Sequence, residues 1–315
     1  MFVNYDCVAF GLRLKALRKR CGLSQLDVST RTGMNSDTLR RIENGSVIPK
    51  FESLEVLSDL YKVNLIHILD QCKISNRLMC YYEKLDHILL KSDTVALESL
   101  IEQFHSETPS QSSQLNPRES KLFSRFLKAL KLGFSQEHND KEVSSQLLWE
   151  LLTESNSKLS LTQLDIQQIS NFEEKVLLFY GVLCAEIHRL EDSTAILEFL
   201  RKKSQAHKHL SHSEKSLYIK TLINLAYNYH LSDQHQQAYQ TASEGIAFCL
   251  EHDLLYGLYL LYYRCGIAAH HLDCADNSYF DKAFGLLKAQ NLNHLIDHYQ
   301  TVLKDLYHIQ FTRDA

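Results

Sequence analysis

The sequence predicts an all-α chain, and three features carry the prediction. Glycine and proline are scarce, with 10 and 3 residues among 315, where average usage gives about 22 and about 16. Tight turns and hairpins draw on both, so a large β fold is disfavoured. Leu, Lys, Glu, Gln and Ala, all good helix formers, fill much of the chain. Apolar residues also recur at helical spacing in one segment after another. With 44% hydrophobic and 23% charged residues, the composition is that of an ordinary globular protein, not of a disordered, collagen-like or polytopic membrane chain.

The first elements follow from local signals. Phe10, Leu14 and Leu17 at i, i+4, i+7 predict a helix over residues 8–20, stopped by Gly22. Ser24 caps a second helix over 25–32, and Gly33 turns the chain. Asn35 or Ser36 caps a third, which runs to Asn44-Gly45. A fourth follows Pro49 over 51–61, and Asn64 caps a short fifth containing Ile66 and Leu69. Two short helices joined by a glycine-containing turn make a helix-turn-helix.

Charge is uneven along the chain. Net charge is −4, yet residues 1–70 hold 10 basic and 8 acidic side chains, and residues 10–41 hold 8 and 2. A basic surface at one end of an acidic protein points to a polyanion partner there. Arg13, Lys15, Lys19, Arg20 and Arg31 are candidates for phosphate contacts, each alone being equally readable as a solvated charge. The eight cysteines never form C-x-x-C. They read as buried, reduced thiols of a cytosolic protein. The N-terminus lacks the pattern of a signal peptide, and no window has about 18 uncharged apolar residues, so a membrane span is not expected.

Beyond residue 74 helices succeed one another. Residues 105–120, rich in Ser and Gln and holding two of the three prolines, read as a loop between helical pairs. Residues 213–252 fit the 34-residue tetratricopeptide pattern, with Leu225-Ala226, Tyr229, Ala238, Ala242 and Gly245 at its packing positions. Gly181 and Gly266 occupy places like that of Ala226 in the flanking segments. Five helical pairs (75–107 and 116–155 among them) and a last helix near 292–309 are expected. They would stack as a right-handed superhelix whose concave side suits an extended peptide. Domains are accordingly placed at 1–71 and 72–315.

The stretch LKALRKRCGLSQLDVSTRTGMNSDTLRRIENGSVIPKFESLEVLSDLYKVNL resembles the phage-repressor-like, XRE-type helix-turn-helix domain almost end to end. The resemblance implies a five-helix lambda-repressor-like domain that reads double-stranded operator DNA, usually as a dimer on two half-sites. By that resemblance the recognition helix starts at Asn35, with Ser36, Asp37 and Thr38 in its first turn and Arg40 and Arg41 one turn on. Ser36, Asp37 and Arg41 match base-reading positions. Arginine can bond guanine bidentately and an acid can accept from cytosine. Asp37 reads equally as a stabiliser of its own helix N-terminus. Ser24 and Gln25 match the phosphate contact that fixes register. Arg18 and Glu43 match an intradomain ion pair joining the first helix to the recognition helix.

An XRE-type motif fused to a degenerate tetratricopeptide array resembles the peptide-pheromone-responsive (RRNPP) regulators of Gram-positive bacteria, the PlcR, PrgX, Rgg and NprR relatives. The resemblance implies a cytosolic quorum-sensing homodimer. In it, a short signalling peptide bound in the groove alters DNA binding or contacts with RNA polymerase. An asparagine amide donates to and accepts from an extended peptide backbone, and Asn224 matches the groove-lining asparagine of such proteins. Asn228 lies one turn on, Tyr227 between them, and Lys220 one turn back, where it suits a peptide carboxylate. Arg264, with Tyr263 beside it, stands at the equivalent place in the next repeat, and Phe179 in the preceding one. The three aromatic residues read equally as packing between helices. Asn224 also reads as a local amide, and Arg264 as the partner of a neighbouring acid. His270-His271 and His294/His298 have ligand-like spacing, but no H-E-x-x-H or third ligand accompanies them, so neither a metal nor a cofactor is expected. No phosphate loop or G-x-S-x-G motif is present, which argues against an enzyme. The competing readings are an interaction adaptor whose repeats dock a folded protein, and a ligand-free repressor whose repeats serve only to dimerise.

Overall fold

A computed structural model describes residues 5–72, 75–91, 93–110, 117–166, 168–207, 209–274 and 276–309. The chain divides into two compact units, Met1–Ser124 and Arg125–Ala315. Sixteen α-helices and a short 3-10 segment, Leu161–Ile166, make up the regular structure of the described residues.

In the first unit, α1 (Cys7–Arg20), α2 (Gln25–Thr32), α3 (Ser36–Glu43), α4 (Phe51–Tyr61) and α5 (Leu65–Gln71) enclose one core. Phe10, Leu14, Val28, Leu39, Ile42, Leu54, Leu57 and Leu65 form its centre, and Cys72 closes it. The helix ends are set by side chains. Ser24 and Asp27 form a reciprocal capping box, in which Ser24 Oγ accepts from Asp27 N–H and Asp27 accepts from Ser24 N–H. Gly22 and Gly33 take left-handed φ values of 69° and 71°, where other residues are strained. Gly11 has a different reason for being glycine. A Cβ there would lie 2.5 Å from the Glu43 carbonyl oxygen, so α1 packs directly on the end of α3. Helices α6 (Ser75–Lys91) and α7 (Thr94–Ser110) pack through Tyr81 and Phe104, whose rings meet edge-on at 5.2 Å.

The expected loop over 105–120 is shorter than its composition suggested. Residues 105–110 complete α7, and α8 (Pro117–Gly133) opens at the proline; residues 111–116 lie outside the described residues. Proline is at home in the first turn of a helix, where its missing N–H costs nothing.

The second unit holds α9 (His138–Ser155) and then pairs α10/α11 (Asn171–Glu186, Leu190–Gln205), α12/α13 (His212–Leu231, His235–Glu251) and α14/α15 (Leu258–His271, Ser278–Ala289), followed by α16 (Asn293–Tyr307). Each packs on the next, and α12 also touches both α10 and α14. This tetratricopeptide-like order follows from small residues at the crossings. A Cβ on Gly266 would lie 2.7 Å from the Phe280 ring, and one on Gly245 2.6 Å from Leu261. Ala226, Ala242 and Cys265 are fully buried together. Gly181, Ala226 and Gly266 each precede by seven residues a left-handed turn residue, His188, Asp233 and Asp273. The repeat is thus kept in its turns, although glycine is absent from them. Of the cysteines, Cys72, Cys184, Cys249 and Cys265 are buried, whereas Cys21, Cys80 and Cys274 are exposed, contrary to the expectation of buried thiols throughout. Those three lie at or just past helix ends or on the outward side of α6, where no core reaches them. No helix of the described residues is long and apolar enough to cross a membrane.

Candidate functional site

Helix α3 has two chemically opposite faces. Leu39, Ile42 and Glu43 are buried, while Ser36, Asp37, Thr38, Arg40 and Arg41 are exposed. Asn35 is its N-cap and accepts from the Asp37 N–H at 2.8 Å. Asp37 spends its carboxylate on Arg40, with Oδ1 2.5 Å from Nη2 on an exposed surface. Arg41 bonds to no described side chain, so its guanidinium is available to a partner.

What holds this face outward is an arginine buried behind it. Arg18 Nε and Nη2 donate to Glu43 at 2.6 and 3.0 Å, and Nη1 donates to the Leu23 carbonyl at 2.8 Å. The two side chains are 10% and 1% exposed. Gln25 donates from Nε2 to the same Glu43 carboxylate at 2.7 Å. Its amide is therefore oriented by α3, with one N–H left for a ligand. Ser24 is exposed beside it, its hydroxyl engaged as an acceptor in the capping box. The start of α2 and the outer face of α3 are thus tied together through Glu43. Sequence reasoning had treated Gln25 and the ion pair as separate features. Tyr61 lies near the pair, its hydroxyl buried with no hydrogen-bond partner among the described residues, and burial pushes its pKa up to about 12.

The second set of predicted residues lies on α10, α12 and α14. Asn224 is half-buried, and its Nδ2 donates to the Lys220 carbonyl at 2.8 Å, with Oδ1 unengaged by any described residue. Lys220 is buried, its Nζ 5.7 Å from the Tyr256 ring. Tyr227 is half-buried beneath Arg264, whose guanidinium carbon stands 4.5 Å from the ring centroid. Lys220, Asn224 and Tyr227 follow at i, i+4 and i+7 along α12, and Arg264 of α14 covers the last of them.

The remaining three have other commitments. Asn228 is 1% exposed and donates to Ser193 Oγ at 2.7 Å and Thr194 Oγ1 at 3.3 Å on α11. Tyr263 is buried, donates to the Tyr299 carbonyl at 3.1 Å and crosses its ring at 4.9 Å. Phe179 stacks on Phe134 at 6.1 Å, against Gly133.

Two residues absent from the sequence-based set complete the surroundings of Arg264. Tyr307 of α16 accepts from Arg264 Nη1 at 3.3 Å. His230 faces the Arg264 carbonyl at 3.2 Å and the Tyr307 ring at 6.0 Å. Burial first, and then the Arg264 charge, push the His230 pKa down to about 3, so this imidazole is neutral. His235 and His271 stack beside it at 4.2 Å. No group of three or more His, Cys, Asp or Glu among the described residues is arranged to hold a metal.

Residues 9–65 match the family described as helix-turn-helix domain. Over nearly the whole chain the fold is similar to that of Bacillus thuringiensis PlcR, solved in complex with the peptide PapR7 and DNA. The TM-score is 0.69 at 15% identity, over 93% of this chain and 99% of that one. ComR from S. thermophilus, solved in complex with DNA and its signalling peptide ComS, gives 0.56 at 16% identity, over 92% and 97%. The Streptococcus dysgalactiae SHP pheromone receptor Rgg2 gives 0.53 at 13%, over 95% and 98%. No curated protein matches in sequence. The chain thus joins a helix-turn-helix domain to the helical-repeat fold that PlcR, ComR and Rgg2 share.

Proposed function

We propose that this protein is a DNA-binding transcription regulator controlled by a short signalling peptide. On this reading residues 1–71 bind operator DNA, and residues 72–315 bind the peptide and form a homodimer in the cytoplasm. The observation that carries it is the division of α3: a polar outer face of Ser36, Asp37, Thr38, Arg40 and Arg41, braced from behind by the buried Arg18–Glu43 pair. A helix so braced presents its first turns to the major groove as a rigid reader. Arg41 supplies the free guanidinium for a guanine edge. Ser24, the second Gln25 N–H and the start of α2 meet phosphate. Fold likeness to PlcR and ComR, both solved with DNA and a peptide, supports the same two partners here. Lys220, Asn224, Tyr227 and Arg264 form the proposed peptide-facing set. The chemistry present is that of binding, and no catalytic step is assigned.

The test begins with duplexes selected from a random pool by the full-length protein, followed by gel shifts across peptides encoded beside the gene. Expected are a defined operator and one peptide that changes its affinity. Arg41→Ala should relax base preference at one position of each half-site, and an equal loss across all operator variants would contradict its role. A second reading, a repressor whose repeats only dimerise, draws on the contacts that Asn228, Tyr263 and Phe179 make within the repeats themselves. Operator binding indifferent to every peptide would favour it.

A further inference from the structure

The described arginines of the second unit are not alike. Arg125 is paired with Glu150 and Glu154, Arg189 with Asp192, and Arg201 with Glu198 and Glu244. Arg264 faces no carboxylate among the described residues, although it is only half-exposed and is hemmed by the rings of Tyr227 and Tyr263. Its Nη1 meets the Tyr307 hydroxyl, while its Nε is fully buried with no hydrogen-bond partner. A guanidinium offers two flat edges that match a carboxylate, and one of them, Nε with Nη2, is here unclaimed by any described residue. A half-buried cation held without an anion is not at its most stable, and a buried donor without an acceptor calls for a physical explanation. The neighbouring residues do not supply one. His230, His235 and His271 crowd the same end of α12–α14. They offer no negative charge, and the nearby Asp233 is turned to His235 at 3.9 Å.

We propose that the Arg264 guanidinium, through its unpaired and accessible Nη2, is a receptor for a carboxylate of the bound peptide, with the Tyr227 ring as its floor. The inference rests on the peptide reading above and sharpens it. The ligand is a peptide bearing an anionic group at the place where it crosses α14, either its free C-terminus or an Asp or Glu side chain. Asn224, less than one turn from Tyr227 on the same helix, meets the adjoining backbone, so the anchored carboxylate sets the register of the peptide along α12. Arg264 is thus a specificity determinant: neutral peptides of the same length are rejected because they leave its charge desolvated and unpaired.

Three synthetic heptapeptide mixtures separate the possibilities: free C-terminal acids lacking Asp and Glu, C-terminal amides containing Asp and Glu, and amides containing neither. Each is incubated with full-length protein, complexes are isolated by gel filtration, and retained peptides are identified by mass spectrometry. Wild-type protein should retain members of the first or the second mixture, which names the source of the carboxylate. Retention should exceed that from the third mixture by about tenfold to a hundredfold, the span of a lost charge-assisted pair. Arg264→Gln, checked for unchanged helicity, should erase the preference, and Arg264→Lys should restore part of it, keeping the charge without the fork. Equal retention of the neutral amides by wild-type protein, or a preference that survives in Arg264→Gln, overturns the carboxylate site while leaving peptide binding intact. Retention from none of the mixtures overturns the peptide reading itself, and this inference with it.

Discussion

Replacing either member of the Arg18–Glu43 pair should come close to unfolding the N-terminal helices. Glu43 accepts three hydrogen bonds, two from Arg18 and one from Gln25. Its side chain is 1% exposed and that of Arg18 10%. Removing one charge leaves the other desolvated, a loss of about 3–5 kcal/mol. A domain of this size is stable by only about 3–10 kcal/mol. Glu43→Gln keeps the shape but turns an N–H toward the guanidinium, so its cost falls near the low end of that range. Gln25→Ala removes one charge-assisted bond at the rim and should cost roughly 1.5 kcal/mol. The double variant Arg18→Met/Glu43→Leu buries no charge, so it should be far less damaging than the sum of its singles, with a coupling of about 3 kcal/mol. Hydrogen exchange of full-length protein, read on fragments spanning α1 to α3, reports these losses directly as faster opening. Additive costs, or unchanged protection in Arg18→Met, would refute the view that this pair holds the outer face of α3 in place.

Three further outcomes follow from packing and titration. Gly11→Ala should cost about 1–3 kcal/mol by overpacking, because its Cβ would press on the Glu43 and Ile42 carbonyl oxygens at 2.5 and 2.6 Å; an unchanged melting temperature would show that α1 can move away freely. His230, held neutral with a pKa of about 3, binds a proton more weakly folded than unfolded, so its contribution to stability is complete above about pH 6.5 and is lost as pH falls toward 3. Between pH 7 and 5 the loss should be about 2 kcal/mol, seen as a falling urea midpoint that His230→Gln flattens; a slope the variant leaves intact would assign it to other groups. Asn228→Ala should cost about 1–3 kcal/mol by leaving the Ser193 hydroxyl short of its donor, without altering which peptides bind. Altered peptide choice would return Asn228 to the groove.

Local chemistry made the first five helices legible. Ser24 with Asp27 three residues on, Gly22, Gly33 and Asn64 each fix a helix end through their own backbone or side chain, so the signal lies within a few residues of its effect. The polar run 105–120 misled for the converse reason. Ser and Gln are tolerated in an exposed helix, and Pro117 starts one. On the repeats, sequence spacing places Asn224 and Asn228 on one helical face, but it cannot say where the edge of that face turns into α11. The partner that decides it, Ser193, is 35 residues away. Tyr307 was invisible for the same reason. It reaches Arg264 across 43 residues from a helix that has no repeat partner of its own.

Accounting for charge partners separates scaffold from recognition in this chain. Arg18 has every donor edge engaged, by Glu43 and by the Leu23 carbonyl, and nothing remains of it for a ligand. Arg40 is half-engaged. Its pair with Asp37 lies in water, with side chains 63% and 56% exposed, and such pairs are worth only about 0–1 kcal/mol. A phosphate or guanine edge can therefore take Arg40 over at little cost. On the proposed DNA reading, Asp37 would then lose its internal partner as it meets the bases, where a cytosine amino group could replace it. On that reading the Asp37–Arg40 pair would tune selectivity: unfavourable near phosphate, neutral in free protein, and rewarded at one base. Arg41 and Arg264 have no carboxylate at all among the described residues. The first stands in water, where waiting costs little. The second is half-buried, where it costs more. A scaffold that holds a half-buried guanidinium without a carboxylate gives up some stability that a bound anion would restore. If Arg264 receives a carboxylate as proposed, the repeats would be tightest with that ligand in place, and its charge would supply part of the free energy for any change in the protein's arrangement.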